Sequence, residues 1–347
     1  MYIAILFIIL LSLIFLAFFE DEDIQGKSWL FYLVVMILTL CVAFRPEGID
    51  KDYMSYLGYY ENPNSGMALL TEPTYKLICS IARLFGLPTL IFVIYAFLAV
   101  PLKAYSIIRL SPFWYLSILV WFTHLYIVQD MTQIRVAVAS ALYLFSLPFL
   151  AEGKRIKFLL IVVAAILFHY SSLFLLPIVF LDNNPLNWFK KTFLFVVPLV
   201  FYFTSIISIE LLYLIPIPFI QEKIVVYEEM RDYSGMFAEL NTFNIMALFR
   251  LFTYYLLMWK YEVVAANYKY TPLLLKIFCY SICIYSGLSF FPVFAVRAQE
   301  LIGTIDFIAI PLLVFTMRPV WFGRIAVIIY VAGVFIADLF LYDYLKF

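Results

Sequence analysis

The chain has 347 residues, of which 66% are hydrophobic, 20% aromatic and only 13% charged. A soluble domain of this length cannot enclose that much apolar surface, because surface-to-volume scaling leaves many side chains in contact with solvent; the composition demands lipid. With 23 basic and 23 acidic residues the formal net charge is zero, which points to neither a nucleic acid nor a polyanionic surface.

Hydropathy over windows of roughly 20 residues, the length that crosses about 30 Å of hydrocarbon, marks eleven apolar blocks. They cover 2–19, 28–44, 89–108, 113–129, 131–150, 156–181, 192–212, 243–260, 271–292, 299–316 and 321–341. The first lacks a basic leader and a small-residue cleavage site, so it reads as a retained span rather than a signal peptide. Most connections are short, but 45–88 and 212–242 are long and rich in acidic, Tyr, Asn, Pro and Gly residues, as expected of segments that meet water and carry function. No soluble domain and no repeat interrupts the pattern, so residues 1–347 read as a single transmembrane domain. Cys41, Cys79, Cys279 and Cys283 form no CxxC pair and read as small apolar packing residues, and no metal site is expected.

Lysine and arginine in short loops set the orientation. The turn "EGKRIK" (Lys154, Arg155, Lys157) is the strongest inside signal, and Lys103 with Arg109 agrees with it. Lys190 and Lys191 conflict with it if 156–181 crosses once. Breaking that block at "HYSS" removes the conflict: the first half rises to the outer face at His169, and the second returns inward past Pro177. That gives twelve segments with both termini outside. Irregular backbone at membrane depth is tolerated only where protein or water satisfies it, so the break implies a cavity.

Ionisable residues inside spans are costly and are site candidates by default. Arg135 opens a span in "QDMTQIRVAVASAL", and Asp130, Gln133 and Arg135 gather at the end where His169 emerges, which favours a shared polar pocket over simple snorkelling of the arginine. His169 is followed by Ser171 and Ser172, and an imidazole can serve as base or as phosphate-binding donor. His124 stands alone among aromatics and reads as structural. The first long loop supplies Arg45, Asp50, Asp52, Tyr53 and Glu72, suited to sugar hydroxyls or to activating one. The second supplies Glu228, Glu229, Arg231, Asp232 and Tyr233. Farther on, Arg297 and Glu300 sit at an outer span end with Asp306 deeper, and Arg250 is buried in a span. Arg45, Arg135 and Arg297 together could neutralise a diphosphate, since guanidinium offers paired donors.

The order "FR…DKDYMSY", "EPTY", "TQIRVAVASALYLFS", a lysine-rich inner turn and "AILFHYSSLFLLP" resembles the EpsG-like branch of the Wzy polysaccharide polymerases over roughly residues 40–180. In that pattern an Asp-Tyr motif follows an early span, an arginine opens a middle one, and an "fH-x-S" motif ends the next; here Val136 replaces a polar residue after the arginine. The resemblance implies an all-α polytopic integral membrane protein of about 11–12 segments with GT-C-like glycosyltransferase architecture. It also implies a metal-independent enzyme without cofactor, in the bacterial inner membrane. Such an enzyme moves a growing glycan from undecaprenyl diphosphate to a lipid-linked repeat unit at the periplasmic face, alongside a flippase and a chain-length regulator. In that reaction Arg135 holds the diphosphate with Arg297 or Arg45. His169 is the base or a phosphate ligand, Asp50, Asp52 or Glu72 is the rival base, and Tyr53, Gln133, Ser172, Glu300 and Arg231 bind substrate. A lipid-linked glycan transporter, an O-antigen ligase-type transferase and a membrane acyltransferase are the competing readings.

Overall fold

The computed structural model describes residues 2–21, 28–206, 240–289, 291–340 and 345. The sequence-predicted Glu228, Glu229, Arg231, Asp232 and Tyr233 lie outside the described residues. The described residues carry no strand, only one isolated bridge between Asp50 and Leu345. Long apolar runs in hydrocarbon must satisfy every backbone group internally, and here they do so as helices. Among the described residues, Leu90–Leu110, Ile134–Ala151 and Val320–Phe340 are long and apolar enough to cross a membrane, with shorter apolar helices such as Tyr2–Phe18, Ser28–Ala43, Ile245–Trp259 and Thr271–Gly287 beside them.

Polar contacts sort the helix ends into two faces. On the basic face the Glu20 carboxylate accepts the backbone N–H groups of Tyr115 (3.0 Å) and Leu116 (3.1 Å), capping the start of the helix Trp114–Thr123. Lys154 donates to Glu152 at 2.6 Å, and the charges of Arg109 and Lys269 reach the same carboxylate. Lys276 donates to the Asp182 carboxylate at 2.6 Å, and Lys191 pairs with Glu262. The turn 152–157 therefore shares a face with Lys191, Lys269 and Lys276, as the charge pattern predicts. At the other face the Tyr2 hydroxyl donates to the Cys41 carbonyl at 2.7 Å, and the Asp50–Leu345 bridge ties the C-terminal end to the first long loop.

The block 156–181 is broken where the sequence predicts. The α-helix Arg155–Phe168 stops at His169, whose backbone is extended (φ −156°, ψ 123°), and a 3₁₀-helix runs from Tyr170 to Phe180. At about 1.5 and 2.0 Å per residue the two arms are about 21 and 22 Å long, so eleven 3₁₀ residues retrace the rise of fourteen α-helical ones. Asp182 then arrives beside Lys276 on the basic face. Each arm is shorter than a hydrocarbon core of about 30 Å.

Two sequence expectations fail in the neighbouring spans. Lys103 is not an inner-loop lysine: it is fully buried and donates to Asp130 (2.8 Å) and to the Gln129 side chain (3.1 Å). Asp130 accordingly does not join an outer polar cluster but also accepts from the Trp121 indole N–H at 2.8 Å. The boundary between the blocks 113–129 and 131–150 is not a simple turn but a buried π-helical stretch, Tyr126–Thr132, which turns both polar side chains inward. Hydropathy registers an ion as an interruption and cannot register that two ions cancel. Similarly, the block 299–316 begins earlier, at Pro292, and is broken after Ile302 into short helical pieces.

Candidate active site

The helix Pro73–Leu84 lies in the first long loop, and Glu72 is its N-cap residue, followed by Pro73, whose fixed φ suits the first turn. The Thr74 hydroxyl donates to the Leu167 carbonyl at 2.6 Å, fastening this helix to the end of Arg155–Phe168. Three segments distant in sequence thereby converge. Glu72 Oε1 faces His169 Nδ1 at 2.9 Å and accepts more weakly from the Tyr170 backbone N–H at 3.4 Å, while Glu72 Oε2 accepts from Arg135 Nη1. The carboxylate is nearly closed to solvent. The Arg135 guanidinium carbon lies 5.6 and 5.7 Å from the ring centres of Tyr56 and Tyr75, which wall it by cation–π contact.

With its Nδ1 turned to Glu72, His169 has Nε2 left over, and that atom is buried with no hydrogen-bond partner, as are Arg135 Nε and Ser172 Oγ. Buried polar atoms are ordinarily satisfied, and unsatisfied ones at a shared locus mark where a ligand's groups would go. A carboxylate that fixes one imidazole nitrogen and leaves the other for proton transfer is the orienting arrangement of catalytic dyads.

Gln133 and Glu300 extend this locus, since Gln133 Nε2 donates to Glu300 Oε2 at 3.3 Å. Arg297 is exposed, and its charge reaches both Asp52 and Glu300. Asp52 also feels the charge of Arg135. The remaining loop residues behave differently. Arg45 donates from Nε to Asp50 Oδ2 at 2.8 Å with both side chains fully enclosed, and its guanidinium sits 4.3 Å from the Phe92 ring centre. The other Asp50 oxygen accepts the backbone N–H groups of Asp52 and Tyr53 at 3.0 and 2.8 Å, and Tyr53 stacks on Phe92. Arg45, Asp50 and Tyr53 thereby fasten the start of the helix Tyr53–Glu61, and Arg45 Nη2 is left buried without a hydrogen-bond partner.

Two carboxyls that feel the charge of Arg135 shift in opposite directions. Burial raises Glu72, but the hydrogen bond from His169 and the charge of Arg135 outweigh it and hold the carboxyl below its ordinary value. Asp52 is raised, first by burial and then by the charge of Asp50, against the opposing pull of Arg135 and Arg297. Glu72 therefore stays ionised and orients His169 and Arg135. A carboxyl raised in the folded state stabilises the fold below its unfolded pKa of about 4, and that stabilisation is lost as pH rises through the folded value. Asp52→Asn is therefore expected to raise thermal stability at pH 7 and to leave it unchanged below about pH 4. Loss of stability at pH 7 would place Asp52 in a net favourable ion pair instead.

Sequence reasoning missed another polar group. His124 is not an isolated structural histidine: its Nδ1 lies 2.7 Å from Asp338. Asp338, a buried acid inside the long apolar helix Val320–Phe340, was detectable as an intramembrane ion.

The profile of the EpsG family matches residues 28–346, nearly the whole chain, and the protein belongs to that family. No curated protein and no solved structure matches it. Membership together with the apolar helices makes it a helical membrane protein with a polysaccharide polymerase-related function.

Proposed function

For this EpsG-family chain we propose a Wzy-type polymerase of GT-C-like architecture in the bacterial inner membrane, with its reaction centre toward the periplasm. The enzyme transfers a growing glycan from undecaprenyl diphosphate to the next lipid-linked repeat unit. The single observation that carries this reading is the Glu72 carboxylate holding Arg135 and His169 at one buried locus. In the reaction His169 Nε2 removes the proton from the acceptor hydroxyl as that oxygen bonds to the anomeric carbon. The bond from that carbon to the diphosphate oxygen breaks, and negative charge gathers on the departing diphosphate. Arg135 and the exposed Arg297 meet that charge, and in a low-dielectric cleft this stabilisation is the largest contribution. Glu72 is a positioning residue, because both of its oxygens are engaged. Gln133, Ser172 and Glu300 meet substrate hydroxyls. A flippase and a chain-length regulator are the partners such a pathway requires.

The purified protein in nanodiscs, given lipid-linked repeat units and no other donor, is expected to produce a ladder of longer lipid-linked glycans. Relocation of the units across a vesicle bilayer without elongation would make it a transporter. Transfer to an unrelated lipid acceptor would make it a ligase.

A further inference from the structure

Glu300, whose side chain accepts from Gln133, also lines a second cavity of about 330 Å³ together with His124, Arg250, Asp306 and Tyr330. That volume falls within the range of about 300–1,000 Å³ typical of small-ligand sites. Its polar groups are built into the helices. Arg250 donates from Nε and Nη2 to the two oxygens of Asp306 at 2.7 and 3.2 Å, and from Nη2 to Ser281 Oγ at 3.1 Å. Gly303 makes this possible, because a Cβ there would meet Arg250 Nη2 at 3.0 Å. The dyad His124–Asp338 commits the imidazole Nδ1, so Nε2 is the ring atom left for a ligand, and the Asp338 side chain is fully enclosed behind it.

Charge decides what fits. The carboxylates of Glu300, Asp306 and Asp338 face the Arg250 guanidinium, the His124 imidazole and the charge of Arg297, so even with His124 protonated no cation is left in excess. An anionic diphosphate is disfavoured, whereas a neutral polyol offers donors to the Glu300 and Asp306 carboxylates and finds donors in Arg250 and His124. We propose that this cavity binds an uncharged sugar residue of the acceptor glycan, with His124, held by Asp338, as the hydrogen-bond partner of one hydroxyl. Only the word acceptor rests on the polymerase reading; the sugar site stands on the cavity itself. Glu300 forms the wall common to this site and the Arg135–His169 locus, through Gln133 on one side and the cavity on the other.

The test uses the full chain in nanodiscs and, as probe, the oligosaccharide that mild acid releases from the host's lipid-linked repeat units, free of lipid and diphosphate. Titration calorimetry compares wild type with Val334→Phe, which fills the cavity one helical turn from Asp338 without touching a charge, and with His124→Gln. Both variants are expected to bind the oligosaccharide at least about tenfold more weakly and undecaprenyl diphosphate as wild type does, which also shows that they are folded. Unchanged oligosaccharide binding by Val334→Phe, parallel loss of both ligands, or failure of the wild type to bind the oligosaccharide would overturn the proposal. If the wild type binds the sugar, Val334→Phe loses it, and lipid-linked units are still not elongated, the sugar site stands and the polymerase reading falls.

Discussion

Glu72→Ala is expected to reduce glycan elongation by about 10²–10⁴-fold, the range associated with losing a positioned acid–base group, while the protein still reaches the membrane. The variant removes the acceptor of two charge-bearing groups at once: His169 Nδ1 loses its 2.9 Å partner and Arg135 its carboxylate. The imidazole is then free to rotate and to adopt the wrong tautomer, and the guanidinium relaxes toward Tyr56, whose phenol burial pushes up to about 12 and so keeps neutral. Glu72→Gln separates the contributions. An amide oxygen can still orient the ring but no longer offsets the charge of Arg135, so an intermediate loss is expected. Arg135→Ala is expected to abolish long-chain polysaccharide while expression persists; normal polymer in that variant, measured by gel profile of the extracted glycan, would remove the arginine from the reaction.

The second large effect is on stability. Lys103→Met should destabilise the protein by about 3–5 kcal/mol, because it strands the Asp130 carboxylate in a fully enclosed site. The double variant Lys103→Met with Asp130→Asn should recover most of that loss. Its amide oxygen still accepts from the Trp121 indole N–H, now 2.8 Å from the aspartate, and no charge remains buried. Thermal unfolding in detergent compares the three proteins. A single variant within about 1 kcal/mol of wild type would mean that the pair is solvated and that the 126–132 stretch is not pinned by it.

The helical character was legible because apolar runs in lipid admit little else, and the break at His169 was legible because charge in short loops left no consistent path through a straight 156–181. Arg135 and His169 could be named as separate candidates, since an ion or an imidazole among apolar residues carries its own cost. Their common partner could not be chosen: Glu72 stood beside Asp50 and Asp52 as one of several loop acids, and nothing in the spacing reveals that Thr74 docks on Leu167 and swings Glu72 over the hairpin. Pairings across the fold were invisible for the same reason. Lys103 with Asp130, Arg250 with Asp306 and His124 with Asp338 are separated by 27, 56 and 214 positions, and hydropathy assigns each member to a loop or to a span without its partner. Asp338 needed no pairing to be noticed, being an acid deep in a long apolar helix.

A mutant cycle on elongation rate most directly tests whether Glu72, Arg135 and His169 act as one unit. Purified Glu72→Ala, Arg135→Ala and His169→Ala, their pairs and the triple variant would be compared on lipid-linked repeat units under single-turnover conditions. Groups that work as a unit are strongly non-additive, so the triple variant should elongate about as slowly as the worst single one. Additive losses, or near-wild-type elongation by any single variant, would contradict a shared reaction centre.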